Sequence, residues 1–404
     1  MWRFLAVAAV ISGISIVAAD SASRNPTPRA AGVMHAFRLA VSDARSATIR
    51  IIDLDDGRLL STFSLSSPAR LHTGPSRRYV YAVQSEADEV AAIDIGIALE
   101  SHGDHADLKV SAPRLLSHRL RGSRPSHLTH NDARIAVFFD GDGTTQIFSE
   151  QDFVDGRTAR IRRIETGAKH HGVAIPIGRR LAVTVPPTGD GLPDAIELRS
   201  DDTPERPRVA CPSLHGEAVT GRFVAFGCGD GVAILESVRN AVAARSVAYP
   251  ASLPPGRMIR RMTGAAGFTF FAGDFGADGM VILDPSATDG DFRFISLPAR
   301  RMDFNLHPES GERLFVIVED GTLLSLNPLT GAIEAQARVT GRYAMDQGTI
   351  RPRIASVGTY VAVSDPRAGE VVVLDATTLA ERHRVKVGGA PSDLLALGGD
   401  GATH

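Results

Sequence analysis

The chain has 404 residues, two of them cysteines, and its 44 Lys and Arg against 46 Asp and Glu give a formal net charge of -2. So even a balance gives no ground for a nucleic-acid partner. The length left after a leader, about 380 residues, fits two ordinary domains or one large repetitive one.

The first element in chain order is a targeting segment. Met1, Trp2 and Arg3 form a short basic start, residues 4–16 an apolar core, and Val17, Ala18 and Ala19 a small-residue site ahead of Asp20. No cysteine follows the apolar run to accept a lipid, and no other segment approaches the roughly 18 apolar residues that a membrane span needs. Residues 1–19 are therefore expected to be a cleaved signal peptide, residues 20–33, with Pro26, Pro28 and Gly32, a disordered lead-in, and residues 34–404 a single domain. The mature chain is expected to be periplasmic, soluble and monomeric, without a membrane anchor. In an oxidising compartment Cys211 and Cys228 are expected to bond to each other.

Beyond residue 33 helical periodicity is almost absent. Alternating or apolar runs of four to eight residues recur between Gly, Pro, Asp and Asn clusters, among them TIRIIDL (48–54), YVYAVQS (79–85), RIAVFFD (134–140), FVAFGCG (223–229), LFVIVED (314–320) and EVVVLD (370–375). Short strands at this spacing predict an all-β fold. They also repeat as a unit: RRYVYAVQSEADEVAAID, ARIAVFFDGDGTTQIFS, GRFVAFGCGDGVAILE, AGFTFFAGDFGADGMVILD, ERLFVIVEDGTLLSLN and GTYVAVSDPRAGEVVVLD share one turn-strand-turn-strand grammar. RRLAVTVPPTGDGLPDAIELR is a divergent copy. Equivalent strands lie about 40 to 55 residues apart, the period of four-stranded propeller blades. Seven complete units begin near residues 71, 126, 170, 214, 262, 303 and 352. An eighth is split, with three strands at the start (HAFRLAVSD, TIRIIDL, LLSTFSL) and its innermost at the end (PSDLLALGG, 391–399). The expectation is an eight-bladed β-propeller closed by its termini, with seven blades as the alternative.

Chemistry concentrates in the histidines. SHGDHAD (101–107) places His102, Asp104, His105 and Asp107 in one loop between strands, where imidazole and carboxylate both suit zinc. His127 lies seven residues before Arg134 and His215 seven before Arg222; His171, with His170 beside it, holds a similar offset from Arg180. The innermost strand of a blade lines the central channel, so three consecutive blades aim an imidazole at one side of it. Three neutral imidazoles with a carboxylate or water are a common zinc set. Polar channel lining is the plainer alternative for each of them, and a solvated polar loop for SHGDHAD.

The runs HGDHAD, RPSHLTHNDARIAVFFDGDG, AKHHGVAIPIGRRLAV, LHGEAVTGRFVAFGCGDG and MDFNLHPESGERLFVIVEDG together resemble the AztD-like periplasmic zinc metallochaperones, over most of the chain from about residue 35 onward. The resemblance implies a propeller that binds Zn2+ in its channel and passes it to the zinc-specific solute-binding protein of an ABC importer, and is not an enzyme. Carried over by position, the ligands are His127, His171 and His215, with His102, Asp104 and His105 as a mobile lid or second site. Residues 20–35 carry no His-rich tract, a departure from the family pattern that counts against a second, weak acceptor site at the mature N-terminus.

Two other classes stay open on sequence alone. A propeller hydrolase of the lactonase type would need several channel carboxylates and an oxygen-rich, calcium-type site, for which Asp303 and Asp393 are candidates. A metal-free interaction scaffold would need only polar lining. Covalent haem is disfavoured because no CxxCH occurs.

Overall fold

A computed structural model of the chain describes residues 32–403, apart from residues 104, 105, 201, 202, 240 and 347. The expected signal peptide, most of the expected lead-in, Asp104 and His105 lie outside the described residues. Seven four-stranded antiparallel sheets and one six-stranded sheet follow one another along the chain. In five of the eight successive pairs of sheets the first strands touch directly, which places these strands around a common axis. The fold is the eight-bladed β-propeller that the repeats predict.

Each central strand buries both faces, which is why it reads as an apolar run and not as an alternation. In Tyr79–Gln84 every residue is buried. Tyr79, Tyr81 and Val83 pack into the seam with the following blade beside Ile135, Val137 and Phe139, while Val80 and Ala82 face the other way onto Ile49, Ile51 and Leu397. That is the period of two expected of a strand, with apolar partners on both sides. Eight such apolar clusters fill the eight seams between blades. Outermost strands such as Ile333–Arg338 and Glu381–Lys386 alternate exposed and part-buried residues, as one-sided strands do.

The split blade closes the ring. Pro391–Thr403 is its innermost strand and pairs antiparallel with Gly32–Asp43 from Gly32↔Thr403 to Asp43↔Pro391. Both strands run past the length expected of them, and the first begins inside the segment expected to be disordered. Their overhang pairs with a hairpin of Ile97–Ser101 and Ala106–Val110, through Ala402↔Asp107, so the closing sheet has six strands and not four.

Cys211 and Cys228 form a disulfide, both buried between the third and fourth complete blades. It closes a separation of 17 residues, worth about 3 kcal/mol in the chain-entropy view. It also pins the connection that leads into His215.

A charged network closes one half of the axis. Asp303 is 2% exposed. It pairs with Arg261, lies 3.3 Å from Arg353 Nη1, and accepts from the Ile354 N–H at 2.8 Å. Burial pushes its carboxyl up, but the two guanidinium groups more than offset this and hold it below the usual carboxylate range. A carboxyl depressed on folding stabilises the protein above its unfolded pKa, and that contribution is lost as pH falls through the folded value. Asp303→Ala is expected to cost about 3 kcal/mol, the low end for breaking a buried ion pair because both arginines are part-exposed. A shift in the urea midpoint measures it, and an unchanged midpoint would remove the network from the account of stability.

Candidate metal centre

His127, His171 and His215 meet at the axial mouth where the innermost strands begin. His127 stands in Pro125–Asn131, at a bulge between Pro125 and Leu128 that turns its side chain out of the ladder. His171 and His215 sit in the connections just before Ala174–Ile177 and Glu217–Thr220. A glycine follows each, and both are required. A Cβ on Gly172 would lie 2.5 Å from Thr184 Oγ1 and 2.6 Å from His170 Nε2; one on Gly216, which has φ +86, would lie 2.6 Å from the Arg260 carbonyl oxygen.

The three positions are not equivalent in register, which corrects the expectation drawn from their offsets. Leu128, Ala174 and Glu217 each pair with the fourth residue of the neighbouring strand. His127 therefore precedes the shared level by one residue, His215 by two and His171 by three. The equal spacing in sequence came from counting to Arg222, a turn residue, in one blade and to Arg134, a strand residue, in another. The rings converge nonetheless, because the bulge and the two glycines set each approach separately.

Each imidazole is held through Nδ1. His127 Nδ1 donates to Glu217 Oε1 at 2.8 Å, His171 Nδ1 to Asp140 Oδ2 at 2.7 Å, and His215 Nδ1 to the Arg260 carbonyl at 2.6 Å. A proton on Nδ1 leaves the lone pair on Nε2. The Nε2 atoms of His127 and His171 face each other at 3.3 Å. Two lone pairs so close repel unless a cation or a shared proton lies between them. Two ligands of one tetrahedral zinc, with bonds of 2.0–2.1 Å, stand roughly 3.3–3.4 Å apart. The His215 ring stands farther back, its centroid 6.0 Å from that of His171. Among the described residues no group of three His, Cys, Asp or Glu side chains is already closed around one point. Rotation of His215 is the movement that would complete the set.

The carboxylates behind the rings bring two negative charges, which match a dication. Burial pushes Glu217 up, but His127 pulls it below its ordinary value; burial pushes His127 down, and Glu217 raises it above its own. Asp140, likewise disfavoured by burial, is drawn down by hydrogen bonds from His171 and Ser126. Carboxylate, histidine and metal in line are the usual way to fix the tautomer and strengthen the ligand. Glu217 and Asp140 were missed in the sequence, although LHGE and VFFD carry them in plain view.

Other histidines and carboxylates are engaged elsewhere. His170 is buried, with Nδ1 on the Ala168 carbonyl at 2.8 Å, Nε2 on Thr184 Oγ1 at 3.0 Å, and its ring edge against Phe138. Its neighbour His171 is the ring turned to the axis. His307 caps a turn, accepting from the N–H groups of Glu309 and Ser310. His102 pairs with Asp107 at 3.2 Å at the tip of the added hairpin. That hairpin leaves from the end of Glu89–Asp94, a third strand, and so from the face where innermost strands finish. The three imidazoles are at the opposite face. The described strands of the hairpin therefore leave from the face opposite the three imidazoles, while Asp104 and His105, which the expectation of a lid or second site also names, lie outside the described residues. The carboxylates required by a hydrolase are also committed elsewhere: Asp303 to the arginines, and Asp393 to the N–H groups of Leu71 and Leu394.

An eight-bladed ring with three imidazoles gathered at one axial mouth defines the class, a β-propeller with a nitrogen-lined channel. No protein-family model matches the chain. The curated zinc chaperone AztD of Citrobacter koseri is 34% identical over 374 residues, which span 91% of this chain and 88% of the relative. The crystal structure of Citrobacter koseri AztD superposes with a TM-score of 0.88 at 34% identity, over 92% of this chain and 100% of the other. The structure of apo AztD from Citrobacter koseri gives 0.86 at 33% identity, with the same coverage. The chain belongs to the AztD zinc chaperone family, whose role is to carry zinc and not to catalyse a reaction.

The two adjacent histidines separate experimentally. His170→Ala loses two hydrogen bonds and an aromatic edge contact, and is expected to cost about 2 kcal/mol. The His171 side chain is 45% exposed, so His171→Ala should leave stability within about 0.5 kcal/mol. Urea unfolding of both variants decides it; equal losses would contradict the division of roles.

Proposed function

We propose that the protein is an exported periplasmic zinc chaperone that holds one Zn2+ as cargo between the Nε2 atoms of His127, His171 and His215, and delivers it to the zinc-specific solute-binding protein of an ABC importer. The observation that carries this reading is the facing pair of Nε2 atoms at 3.3 Å, with both opposite nitrogens on carboxylates. Kinship with a zinc chaperone supports the cargo, and nitrogen ligands suit zinc better than calcium. Among the described residues no helix is long and apolar enough to cross a membrane; export rests on the sequence pattern of residues 1–19.

Release follows from the same geometry. His171 is the most exposed of the three rings whose exposure bears on transfer, at 45% against 27% for His127. An incoming acceptor histidine can replace it while the other two still hold the metal. The ion then passes through shared ligation and never enters water bare. In this reading His102, Asp104 and His105 form a second zinc-handling loop.

Chelator-stripped wild type should take up a tight equivalent of zinc that the combined variant H127A/H171A/H215A lacks; the same tight equivalent in the variant would refute the ligand set. Glu217→Gln keeps a hydrogen-bonding oxygen but removes the charge behind His127, and zinc affinity should fall about 10- to 100-fold. H102A/H105A should leave that affinity unchanged and slow transfer to the acceptor, followed by the acceptor's zinc content over time. Transfer at the wild-type rate would remove the hairpin from the pathway.

A further inference from the structure

Beneath the three imidazoles the channel widens into a cavity of about 540 Å³. Asp132, Ala133, Ala265 and Ala266 line its far end, so it opens toward the face where the innermost strands finish, the face that bears the added hairpin. His72 lines it too. His72 pairs with Tyr81, the third residue of its neighbouring strand, and so shares a level with Thr129, Ile175 and Ala218, which pair with Ala136, Ala182 and Ala225. This level is two residues deeper than His127, or roughly 7 Å along the axis.

Two polar groups on this cavity are unusual. His72 Nε2 is shut off from solvent and has no hydrogen-bond partner among the described residues. Leaving such a group unmatched is costly, and a site of this kind calls for a ligand. Glu217 lines both the small pocket beside the three imidazoles and the larger cavity below. Its Oε1 accepts from His127, and among the described residues Oε2 takes part in no hydrogen bond.

We propose that His72 Nε2 and Glu217 Oε2 form a second station for a divalent transition metal inside the channel, below the three imidazoles and on the way to the opposite face. An imidazole nitrogen and a carboxylate oxygen are a zinc-type donor pair, and water fills the remaining positions. Burial pushes the His72 imidazole down to about 4, with His127 and Arg70 acting in the same direction and Glu217 against it, so its ring is neutral and able to ligate at pH 7. With two protein ligands the station is weaker than the mouth, as an intermediate position in a conduit should be. The inference goes beyond the function proposed above, since it gives the channel an interior site with its own ligand.

The test is zinc stoichiometry of the full chain by competition against a chromogenic chelator. His72→Ala should bind one equivalent fewer than wild type and keep the tight one, while H127A/H171A/H215A loses the tight one and keeps the weaker. An unchanged stoichiometry in His72→Ala overturns the proposal. Loss of no equivalent in the triple variant would instead overturn the ligand set at the mouth. A second measurement does not depend on any variant folding: wild-type crystals soaked in excess zinc should show an anomalous peak at bonding distance from His72 Nε2, and its absence also overturns the proposal.

Discussion

Each sheet of this protein buries both of its faces, Tyr79, Tyr81 and Val83 turned toward one neighbour and Val80 and Ala82 toward the other. No blade can satisfy this alone, so the packing is complete only when the last seam closes. Closure is made by ladder hydrogen bonds between the two ends of the chain, Pro391–Thr403 on Gly32–Asp43. A closed ring leaves each sheet flanked on both sides and brings eight innermost strands to one axis. Side chains more than a hundred residues apart can then meet there without any local motif to announce them.

The axis is divided into two chemically distinct halves. On one side Arg261, Asp303, Arg353 and Asp393 use their charges on one another and on backbone N–H groups, which fills that half with a fixed network. On the other side the carboxylates of Glu217 and Asp140 are spent on imidazoles, and the imidazoles turn their remaining nitrogens inward. The first arrangement is self-neutralising. The second lacks two positive charges, which is the deficit that the proposed zinc cargo would make good. This difference explains why the carboxylates of the fixed half are poor candidates for a calcium-type hydrolytic site, although the sequence alone left them open.

How much could be read in advance depends on how local each feature is. The strands were legible because burial on two sides writes itself as apolar runs, and the blade count because turns such as DGDG and EDG recur at a blade's period. The histidines stood out by their own repetition. Their supporting carboxylates did not, because His171 and Asp140 are 31 residues apart and His127 and Glu217 are 90. Register was misjudged where a bulge at Pro125 and a turn arginine shifted the count by one. Sequence order also hides which end of a blade a third strand reaches, and so the face from which the hairpin of Ile97–Ser101 and Ala106–Val110 leaves. The overhanging ends that hold this hairpin were hidden by Gly398, Gly399 and Gly401, which do not resemble a strand but pair as one.

The central claim is that imidazoles from three neighbouring blades share one zinc ion. X-ray absorption at the zinc edge, on the chelator-stripped protein loaded with a single equivalent, addresses it most directly. The account predicts a first shell dominated by nitrogen at about 2.0 Å, with the outer-shell scattering of three imidazole rings. A shell of oxygen, with one imidazole or none, would contradict it.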